Sequence, residues 1–432
     1  MSDERAPIGV VGVGWVGLVT AACFAELGHP VVARDVIPEK VAALSRGEVT
    51  IHEPGLAELL ERNRERLTFT TDIDEVLDAA RLLFVCVDTP PTYSGDADLS
   101  RVRTVVEELK PDGDHVLIMK STVPAGTGDT IRRELPGMAY VSCPEFLKEG
   151  TAVEDFLHPD RVVIGAAPED AEAAALVEEL YRPLGGEIVQ TDTASAEMIK
   201  LASNAYLATR ISFINEIANV CEEVGADVGE VARGMGLDER IGPHFLRPGI
   251  GFGGSCFPKD VNALKLLAGN SGYHFQLLNS VIEVNELQKR RVVSKLGKHL
   301  GPLVGKRIAL LGLAFKPETD DMREASSLVL SARLLGEGAD VVAYDPVAVG
   351  NARNLLPGVE MTDTAEGALA GADAAVLVTE WPEFRELDWV AAKAGMRRPL
   401  LIDGRNFLDP ESLREAGFTY EGIGRPGVGS GK

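Results

Sequence analysis

The residue of this sequence best suited to covalent chemistry is Cys256, in the segment Gly251-Phe-Gly-Gly-Ser-Cys-Phe-Pro-Lys-Asp260. The small residues before it leave a thiol open to a ligand, and the helical pattern after it can stabilise a thiolate at the first helical turn. A free thiol, with a pKa of about 8.5, is only slightly ionised at neutral pH, so this position and the neighbouring Lys259 matter. The segment predicts a nucleophilic cysteine; a buried, inert thiol is the alternative.

The rest of the composition limits the kind of protein. The other cysteines lie in apolar stretches and are expected to be buried and inert; they are Cys23, Cys86, Cys143 and Cys221. An odd total of 5, without metal-type spacing, argues against disulfides and a metal site and favours a reducing cytoplasm. The formal net charge of −23 disfavours nucleic acid or an anionic membrane as a partner, so an anionic substrate would need a locally basic pocket.

A second motif, Gly12-Val-Gly14-Trp15-Val16-Gly17, follows a predicted apolar strand and opens a predicted helix. Glycine permits a tight turn and the close approach of a pyrophosphate, which the helix N-terminus would bind. The next strand ends at Asp35, where a carboxylate accepts hydrogen bonds from ribose hydroxyls and repels a 2′-phosphate. The motif predicts NAD rather than NADP, although Arg34 could pair with a 2′-phosphate. A plain glycine-rich turn is the alternative.

The apolar stretch from Ile8 to Ala25 also has the composition of a signal peptide or membrane anchor. Asp3 and Glu4 before it are unlike the positive flank of such a segment, and its glycines fit the dinucleotide turn better. No other segment is a candidate for spanning a bilayer.

The length of 432 residues exceeds that at which one hydrophobic core keeps growing, so two or three domains are expected. Residues 1–191 alternate β-rich runs with helical patterns, residues 192–300 carry a long helical pattern, and residues 301–421 form a second α/β series. Residues 422–432 are predicted to be disordered. The fold class is therefore α/β, with two Rossmann-like doubly wound parallel sheets joined by a central helical domain that contains a long helix.

Ten strands are predicted. Those of the first series are Ile8–Val13, Val31–Arg34, Leu82–Val87, Val116–Lys120, Ala139–Ser142 and Val162–Ile164. Those of the second series are Arg307–Leu311, Asp340–Tyr344, Ala374–Thr379 and Leu400–Asp403. Each series opens with a strand that runs into a glycine-containing turn, which suggests two distant copies of one plan.

The cysteine segment resembles the active-site loop of the UDP-glucose/GDP-mannose dehydrogenase family, and is most similar to its UDP-glucose branch. Further segments similar to the family stand in the family's order along nearly the whole chain: Phe84-Val-Cys-Val-Asp-Thr-Pro90, Ser121-Thr-Val-Pro-Ala-Gly-Thr127, Pro144-Glu-Phe-Leu-Lys-Glu-Gly150, Glu197-Met-Ile-Lys-Leu-Ala-Ser-Asn204, Gly312-Leu-Ala-Phe-Lys316 and Asp403-Gly-Arg405. The resemblance implies an NAD-binding first domain, a central domain for dimerisation and catalysis, a C-terminal nucleotide-sugar domain, an active site between the α/β domains, and a homodimer.

The resemblance also implies that a sugar alcohol is oxidised to the acid in two hydride transfers, through a thioester on Cys256. Lys200 and Asn204 are four residues apart in a helical pattern, so that an ammonium and an amide can point at one substrate oxygen. Glu145 is the candidate base or water-orienting group for thioester hydrolysis. Asp260 would position a water or tune Lys200. Surface or helix-end positions without a catalytic role are the alternative.

Two sets of binding residues follow from the same resemblance. The NAD set is Gly12, Gly14, Trp15, Val16, Gly17, Asp35, Lys40, Thr89, Pro90, Ser121, Thr122, Glu149, Lys259 and Arg323. The nucleotide-sugar set is Phe146, Leu147, Lys148, Glu149, Lys200, Asn204, Arg240, Phe245, Arg247, Gly253, Phe315, Lys316 and Arg405. In this second set, Lys316 and Arg405 would offer cations to the diphosphate, and Arg240 matches a family arginine that enters the neighbouring subunit's site.

Other functions remain open from the sequence. GDP-mannose and UDP-N-acetylmannosamine are alternative substrates within the family. A single-step NAD-dependent hydroxyacid dehydrogenase would need no thiol and would form one NADH per substrate. A non-catalytic NAD-binding protein would turn over no nucleotide sugar and would leave Cys256 and Lys200 without an explanation.

Overall fold

A computed structural model describes residues 5–109 and 114–425 of the chain. The chain divides into two compact units: unit 1 is Met1–Ser203 with Asn262–Tyr273, and unit 2 is Asn204–Val261 with His274–Lys432. The division falls inside two helices, so the helical region in the middle of the sequence is shared between the units. The three-domain division made from the sequence stays a prediction.

Unit 1 is built on an eight-stranded sheet with the order β3-β2-β1-β4-β5-β6-β7-β8. Its strands are β1 (Ile8–Val11), β2 (Val31–Arg34), β3 (Leu67–Thr70), β4 (Leu82–Val85), β5 (Val116–Met119), β6 (Ala139–Ser142), β7 (Arg161–Ala166) and β8 (Glu187–Thr191). Neighbouring strands are parallel except β6 and β7, which run antiparallel. The strand order reverses between β1 and β4, the position where doubly wound sheets bind ligands.

Helices lie on both faces of this sheet because its central strands bury both of their faces. Phe84 and Ile118 enter one hydrophobic cluster, whereas Leu83 and Val85 enter another. Residues that alternate along a strand point to opposite faces, so both faces need a cover. The helices before the central region are α1 (Trp15–Glu26), α2 (Pro38–Ser45), α3 (Leu56–Arg62), α4 (Ile73–Ala79), α5 (Ser100–Glu108), α6 (Thr127–Glu134), α7 (Ala152–Leu157) and α8 (Ala171–Tyr181).

The central part of the chain is helical, as the sequence predicted. It begins with the long helix α9 (Thr193–Val224), of 32 residues. The helices that follow are α10 (Val228–Gly236), α11 (Phe257–Asn270), α12 (Gln276–Gln288) and α13 (Arg291–Leu300).

Unit 2 contains a second sheet of six parallel strands, with the order β11-β10-β9-β12-β13-β14. These strands are β9 (Arg307–Leu311), β10 (Asp340–Tyr344), β11 (Glu360–Met361), β12 (Ala374–Leu377), β13 (Leu400–Asp403) and β14 (Thr419–Glu421). Its helices are α14 (Ser326–Gly336), α15 (Val349–Leu355), α16 (Ala365–Leu369), α17 (Glu383–Glu386), α18 (Trp389–Gly395) and α19 (Pro410–Glu415). This strand order is equivalent to the order β3-β2-β1-β4-β5-β6 in the first sheet. The equivalence supports the prediction that the two α/β parts are copies of one plan.

Two expectations from the sequence concern the apolar stretch that begins at Ile8 and the predicted disorder of residues 422–432. The apolar stretch from Ile8 forms β1 and α1 of the first sheet and its cover. Of the segment predicted to be disordered, residues 422–425 are packed: Ile423 is buried, and Gly424 O accepts a hydrogen bond from Val228 N at 2.9 Å. Residues 426–432 lie outside the described residues. Within residues 5–109 and 114–425, no helix combines the length and the apolar character needed to cross a membrane.

Candidate active site

The turn after β1 has the shape that a dinucleotide pyrophosphate needs. Gly12 has a φ of +93°, which glycine adopts without strain. A Cβ on Gly17 would lie 1.7 Å from the Gly12 carbonyl oxygen, so α1 packs this closely only with glycine there. A Cβ on Gly14 would lie 3.6 Å from its nearest described neighbour, Asp88 Oδ1. The fold itself therefore leaves room at Gly14, beside the N-terminus of α1, where a phosphate is expected to bind.

Asp35 lies directly after β2 and is buried. Its Oδ2 accepts hydrogen bonds from Val13 N at 3.1 Å and from Lys40 Nζ at 2.9 Å. Arg34, which could have attracted a 2′-phosphate, instead pairs with Glu108 at 2.9 Å and is also buried. Asp35 therefore lies at the end of β2, where a carboxylate is expected to favour NAD over NADP.

The loops after β4 and β5 meet at the same edge of the first sheet. Thr89 Oγ1 donates to Thr122 O at 2.8 Å, and Ser121 Oγ donates to Val87 O at 2.7 Å. Pro90 is half-buried beside Thr89. Because this edge holds the carboxyl ends of the parallel strands, the polar groups predicted for NAD are brought together beside the glycine turn.

Glu197 of α9 holds the turn at the start of α6, a role that the sequence did not indicate. Its carboxylate accepts hydrogen bonds from Gly126 N at 2.7 Å, Gly128 N at 2.8 Å and Tyr140 OH at 3.4 Å. Burial raises the pKa of Glu197 to about 7, against the effect of these hydrogen bonds. The available signal was an acidic residue in an otherwise apolar helical pattern.

Glu145 and Lys200 form a buried ion pair in unit 1. Lys200 Nζ lies 2.8 Å from Glu145 Oε1, and the side chains are 4% and 6% exposed. Glu145 Oε2 accepts a further hydrogen bond from Leu147 N at 2.6 Å. The carboxylate is thus held in one orientation, which a base or water-orienting group requires. The sequence singled out both residues but did not indicate that they pair.

The loop after Glu145 carries the aromatic and charged residues predicted for the substrate. The Arg161 guanidinium stacks on the Phe146 ring, 3.8 Å from its centroid, and Lys200 Nζ lies 5.4 Å from the same centroid. Lys148 is exposed and pairs with Asp155 at 2.8 Å, whereas Glu149 is half-buried.

Cys256 stands at the start of α11 in unit 2, where its carbonyl accepts a hydrogen bond from Asp260 N at 2.8 Å. Its thiol is half-buried, and Ser255 Oγ lies 3.6 Å from the sulfur. Burial raises the pKa of the four other thiols, which are all inaccessible: Cys23, Cys86, Cys143 and Cys221. Position and accessibility single out Cys256 for reaction.

Asp260 collects two other residues of the predicted site. It is 1% exposed and accepts hydrogen bonds from Asn204 Nδ2 at 2.6 Å and from Lys259 Nζ at 2.5 Å. The expected role of Asp260 was to position a water or tune Lys200. Within unit 2, Asp260 orients the Asn204 amide and pairs with Lys259. Its expected role toward a water or Lys200 stays a prediction.

The main chain before Cys256 is held by buried amide side chains that sequence reasoning missed. Asn285 accepts from Phe252 N at 2.8 Å and donates to Phe252 O at 3.0 Å, as a neighbouring strand would. Gln288 Nε2 donates to Gly249 O at 2.8 Å, and Asn215 Oδ1 accepts from Gly249 N at 2.8 Å. Because Asn285 and Gln288 are three apart on α12, they share one face, and their spacing was the available signal.

Arg405, predicted as a diphosphate partner, is engaged with the main chain of unit 2. It donates to the carbonyls of Val378 at 2.7 Å, Gly251 at 3.1 Å and Phe315 at 3.3 Å, and lies 3.3 Å from Glu380. The guanidinium therefore ties the cysteine segment to the turns after β9 and β12, a role that the sequence did not indicate.

The remaining predicted residues of unit 2 range from buried, as Gly253 is, to exposed, as the arginines are. Lys316 Nζ lies 5.4 Å from the centroid of the Phe315 ring. Gly253 packs so closely on the Glu324 carbonyl that a Cβ would lie 2.2 Å from its oxygen. Phe245 has a φ of +60° and its ring centroid lies 6.2 Å from that of Phe257. The exposed arginines of the predicted set are Arg240, paired with Asp238 at 2.6 Å; Arg323, paired with Asp321 at 2.7 Å; and Arg247.

The turn after β9 is filled from within and differs from the turn after β1. Asp345 is 1% exposed and accepts hydrogen bonds from Leu313 N at 2.7 Å, Ala314 N at 3.1 Å and Trp381 Nε1 at 3.1 Å. The contact of Asp345 with Leu313 N parallels that of Asp35 with Val13 N in the first sheet, whereas its contacts with Ala314 N and Trp381 Nε1 are additional. Among the described residues, no group of three or more His, Cys, Asp or Glu side chains is arranged to hold a metal ion.

A doubly wound sheet with an open glycine turn and a buried acidic residue after β2 defines a dinucleotide-binding protein of the Rossmann class. Three models of the UDP-glucose/GDP-mannose dehydrogenase family match the chain: the NAD binding domain over residues 6–185, the central domain over 194–287 and the UDP binding domain over 309–410. The chain belongs to the UDP-glucose/GDP-mannose dehydrogenase family, and NAD is its cofactor.

Similar proteins cover nearly the whole chain. UDP-glucose 6-dehydrogenase TuaD of Bacillus subtilis is 46% identical over 98% of this chain and 94% of the relative. The UDP-glucose 6-dehydrogenase of Pseudomonas aeruginosa is 45% identical over 97% and 98%. A solved UDP-glucose dehydrogenase from Pyrobaculum islandicum is 37% identical, with a TM-score of 0.91 over 98% of this chain and 99% of that structure.

Proposed function

We propose that this chain is an NAD-dependent UDP-glucose 6-dehydrogenase, which oxidises the C6 alcohol of UDP-glucose to a carboxylate in two steps. The observation that carries this proposal is Cys256, a half-buried thiol at the start of α11 beside the buried Asp260. The similarity to UDP-glucose 6-dehydrogenases at 46% and 45% identity supports the choice of sugar. A reaction that stops at the aldehyde would need no such thiol.

The first oxidation yields the C6 aldehyde and releases a proton from the alcohol. The turn after β1 and Asp35 would hold NAD, which would supply the hydride acceptor for both oxidations. The Cys256 sulfur then forms a bond to the aldehyde carbon, and the thiol proton passes to the new hydroxyl, giving a thiohemiacetal. Lys200 and Asn204, one turn apart on α9, donate hydrogen bonds to the oxygen that becomes negative.

The second oxidation removes a hydride from the thiohemiacetal carbon and a proton from its hydroxyl, which leaves a thioester. Glu145 orients water or takes its proton while the water oxygen attacks the thioester carbon. The carbon–sulfur bond breaks, the sulfur regains a proton, and the uronic acid is released. The overall reaction consumes one nucleotide sugar, two NAD and one water.

The experiment that tests the substrate is a turnover panel of UDP-glucose, GDP-mannose and UDP-N-acetylmannosamine with NAD. UDP-glucose should give the highest kcat/KM. Faster turnover of either other sugar would assign the chain to a different branch of the family. Binding of NAD without turnover of any of the three would contradict the enzymatic function.

We also propose that the enzyme is a cytoplasmic homodimer. The apolar residues Tyr206, Phe213 and Val220 are 61%, 49% and 56% exposed and recur every seven residues on α9, so they lie on one face of the helix. Phe213→Glu should produce monomers in a sedimentation experiment, whereas Arg240→Ala should stay dimeric with a raised KM for the nucleotide sugar.

The cytoplasmic location is supported by the five free cysteines, which favour a reducing compartment.

A further inference from the structure

Unit 1 contains a buried carboxylate that has no part in the reaction steps above. Glu53 lies in the loop between α2 and α3 and is 6% exposed. Its Oε2 accepts hydrogen bonds from Trp15 Nε1 at 2.9 Å and from Gly150 N at 2.8 Å. Its Oε1 accepts from Ala152 N at 2.8 Å. All three donors are neutral N–H groups, so each carboxyl oxygen of Glu53 is held by hydrogen bonds.

The three donors come from two parts of unit 1 with separate tasks. Trp15 is the first residue of α1 and directly follows Gly14 of the dinucleotide turn. Gly150 lies at the end of the loop that begins with Glu145, and Ala152 is the first residue of α7, which follows that loop. The oxygen Oε2 is shared between the two parts, because it accepts both the indole N–H and the Gly150 N–H.

A shared acceptor of this kind ties the positions of its two donors to each other. A buried carboxylate that loses one of its donors is left under-satisfied, so its other hydrogen bonds must readjust. A phosphate bound at the N-terminus of α1 restrains the turn that carries Trp15. The indole then fixes Oε2, and Oε2 fixes the Gly150 end of the Glu145 loop.

We propose that Glu53 is a positioning residue that couples occupancy of the dinucleotide turn to the position of the Glu145 loop. This rests on the proposed function, since it requires NAD and a nucleotide sugar to bind the same chain. Linkage then demands that each ligand changes the affinity for the other by the same factor. A role in folding alone would give no such factor.

The test is equilibrium binding of NADH to the full chain, followed by NADH fluorescence, with and without saturating UDP-glucose. These two ligands do not react, because the cofactor is already reduced and the sugar is still an alcohol. The two dissociation constants should differ in the wild type by about fivefold or more. In Trp15→Phe, which keeps a ring but loses the indole N–H, their ratio should fall close to one.

A matched control removes a different indole N–H. Trp389 donates to Phe384 O at 3.1 Å in unit 2, so Trp389→Phe should keep the wild-type ratio. A second readout, amide hydrogen exchange, needs NADH alone. NADH should slow exchange at Gly150 and Ala152 in the wild type and in Trp389→Phe, and should not do so in Trp15→Phe or Glu53→Gln.

Two results would overturn the coupling. The first is a wild-type protein whose two NADH dissociation constants are equal. The second is a Trp15→Phe protein that keeps the wild-type ratio of these constants and in which NADH still slows exchange at Gly150 and Ala152. Failure of the wild type to oxidise UDP-glucose is a different result, which contradicts the proposed function. In that case the exchange measurement with NADH alone still decides whether Glu53 links the turn to the loop.

Discussion

Lys200 Nζ lies 2.8 Å from Glu145 Oε1, and neither side chain is more than 6% exposed. Removing one member of a buried ion pair leaves the other charge uncompensated, which costs stability as well as activity. Substitutions that keep the shape of the side chain are therefore the informative ones at this pair.

Glu145→Gln should allow the thioester to form but slow its hydrolysis, by about a hundredfold to ten-thousandfold, because the positioned base is lost. A covalent sugar adduct should accumulate on Cys256 and appear as added mass on the intact chain. Glu154→Gln is the control, because Glu154 lies on α7 and is 73% exposed. This variant should hydrolyse the thioester at the wild-type rate. Wild-type turnover by Glu145→Gln, without an adduct, would remove Glu145 from the hydrolytic step.

Cys256→Ser should separate the two oxidations, because a hydroxyl keeps the shape of the side chain but is a far weaker nucleophile than a thiol. The variant should retain some reduction of the C6 aldehyde by NADH, the reverse of the first step, while conversion to the acid collapses. Cys221→Ser, at a buried thiol of α9, should keep both activities. The thioester route is wrong if Cys256→Ser makes the acid at the wild-type rate.

Asp35→Ala should weaken NAD binding and relax the discrimination against NADP, because the carboxylate accepts from the ribose and repels a 2′-phosphate. The measurement is kcat/KM with each cofactor. Arg34 is paired with Glu108, so Arg34→Ala should change cofactor choice little. A wild-type preference for NADP would contradict this assignment.

Protonation of Glu197 should make the free energy of unfolding depend on pH. Burial raises the pKa of Glu197 from 4.5 to about 7 in the folded state, so the folded protein binds this proton more tightly than the unfolded chain. Its contribution to stability is therefore present below about pH 4.5 and is lost as the pH rises through about 7. Relative to Glu197→Gln, the wild type should lose up to about 3 kcal/mol over this window.

Thermal unfolding of both proteins between pH 4.5 and 7 checks this prediction. The melting temperature of the wild type should fall relative to that of Glu197→Gln as the pH rises. A gap that moves the other way would show that the N–H groups of Gly126 and Gly128 stabilise the charged carboxylate more than burial disfavours it.

The strands that the sequence missed are the outermost ones. Ten strands were predicted and are present, with small differences at their ends. The other four, β3, β8, β11 and β14, are the edges of the two sheets. Three of these, β3, β8 and β11, contain exposed or half-buried residues at most positions, so they lack the continuous apolar run by which the central strands were recognised. The antiparallel pairing of β6 with β7 likewise left no local signal.

In the candidate site, too, features that depend on local sequence were predicted, whereas contacts between residues far apart in the sequence were not. Cys256 and the glycine turn could be proposed from the sequence because their chemistry is carried by neighbouring residues, and Asp35 because it ends the strand that follows the turn. The pairing of Arg405 with the Gly251 carbonyl, and of Glu53 with Gly150, joins residues 154 and 97 positions apart. Sequence spacing cannot show such contacts, and the resemblance assigned Arg405 to the substrate without indicating its bonds to the main chain.

The measurement that tests the central claim most directly is the number of NADH molecules formed per molecule of UDP-glucose consumed. Absorbance gives the NADH, and chromatography of the nucleotide sugars gives the substrate lost and the acid formed. Oxidation of the alcohol through a thioester to the acid predicts two NADH for each UDP-glucose, with the uronic acid as the product. One NADH per sugar, with the aldehyde as the product, would contradict the account.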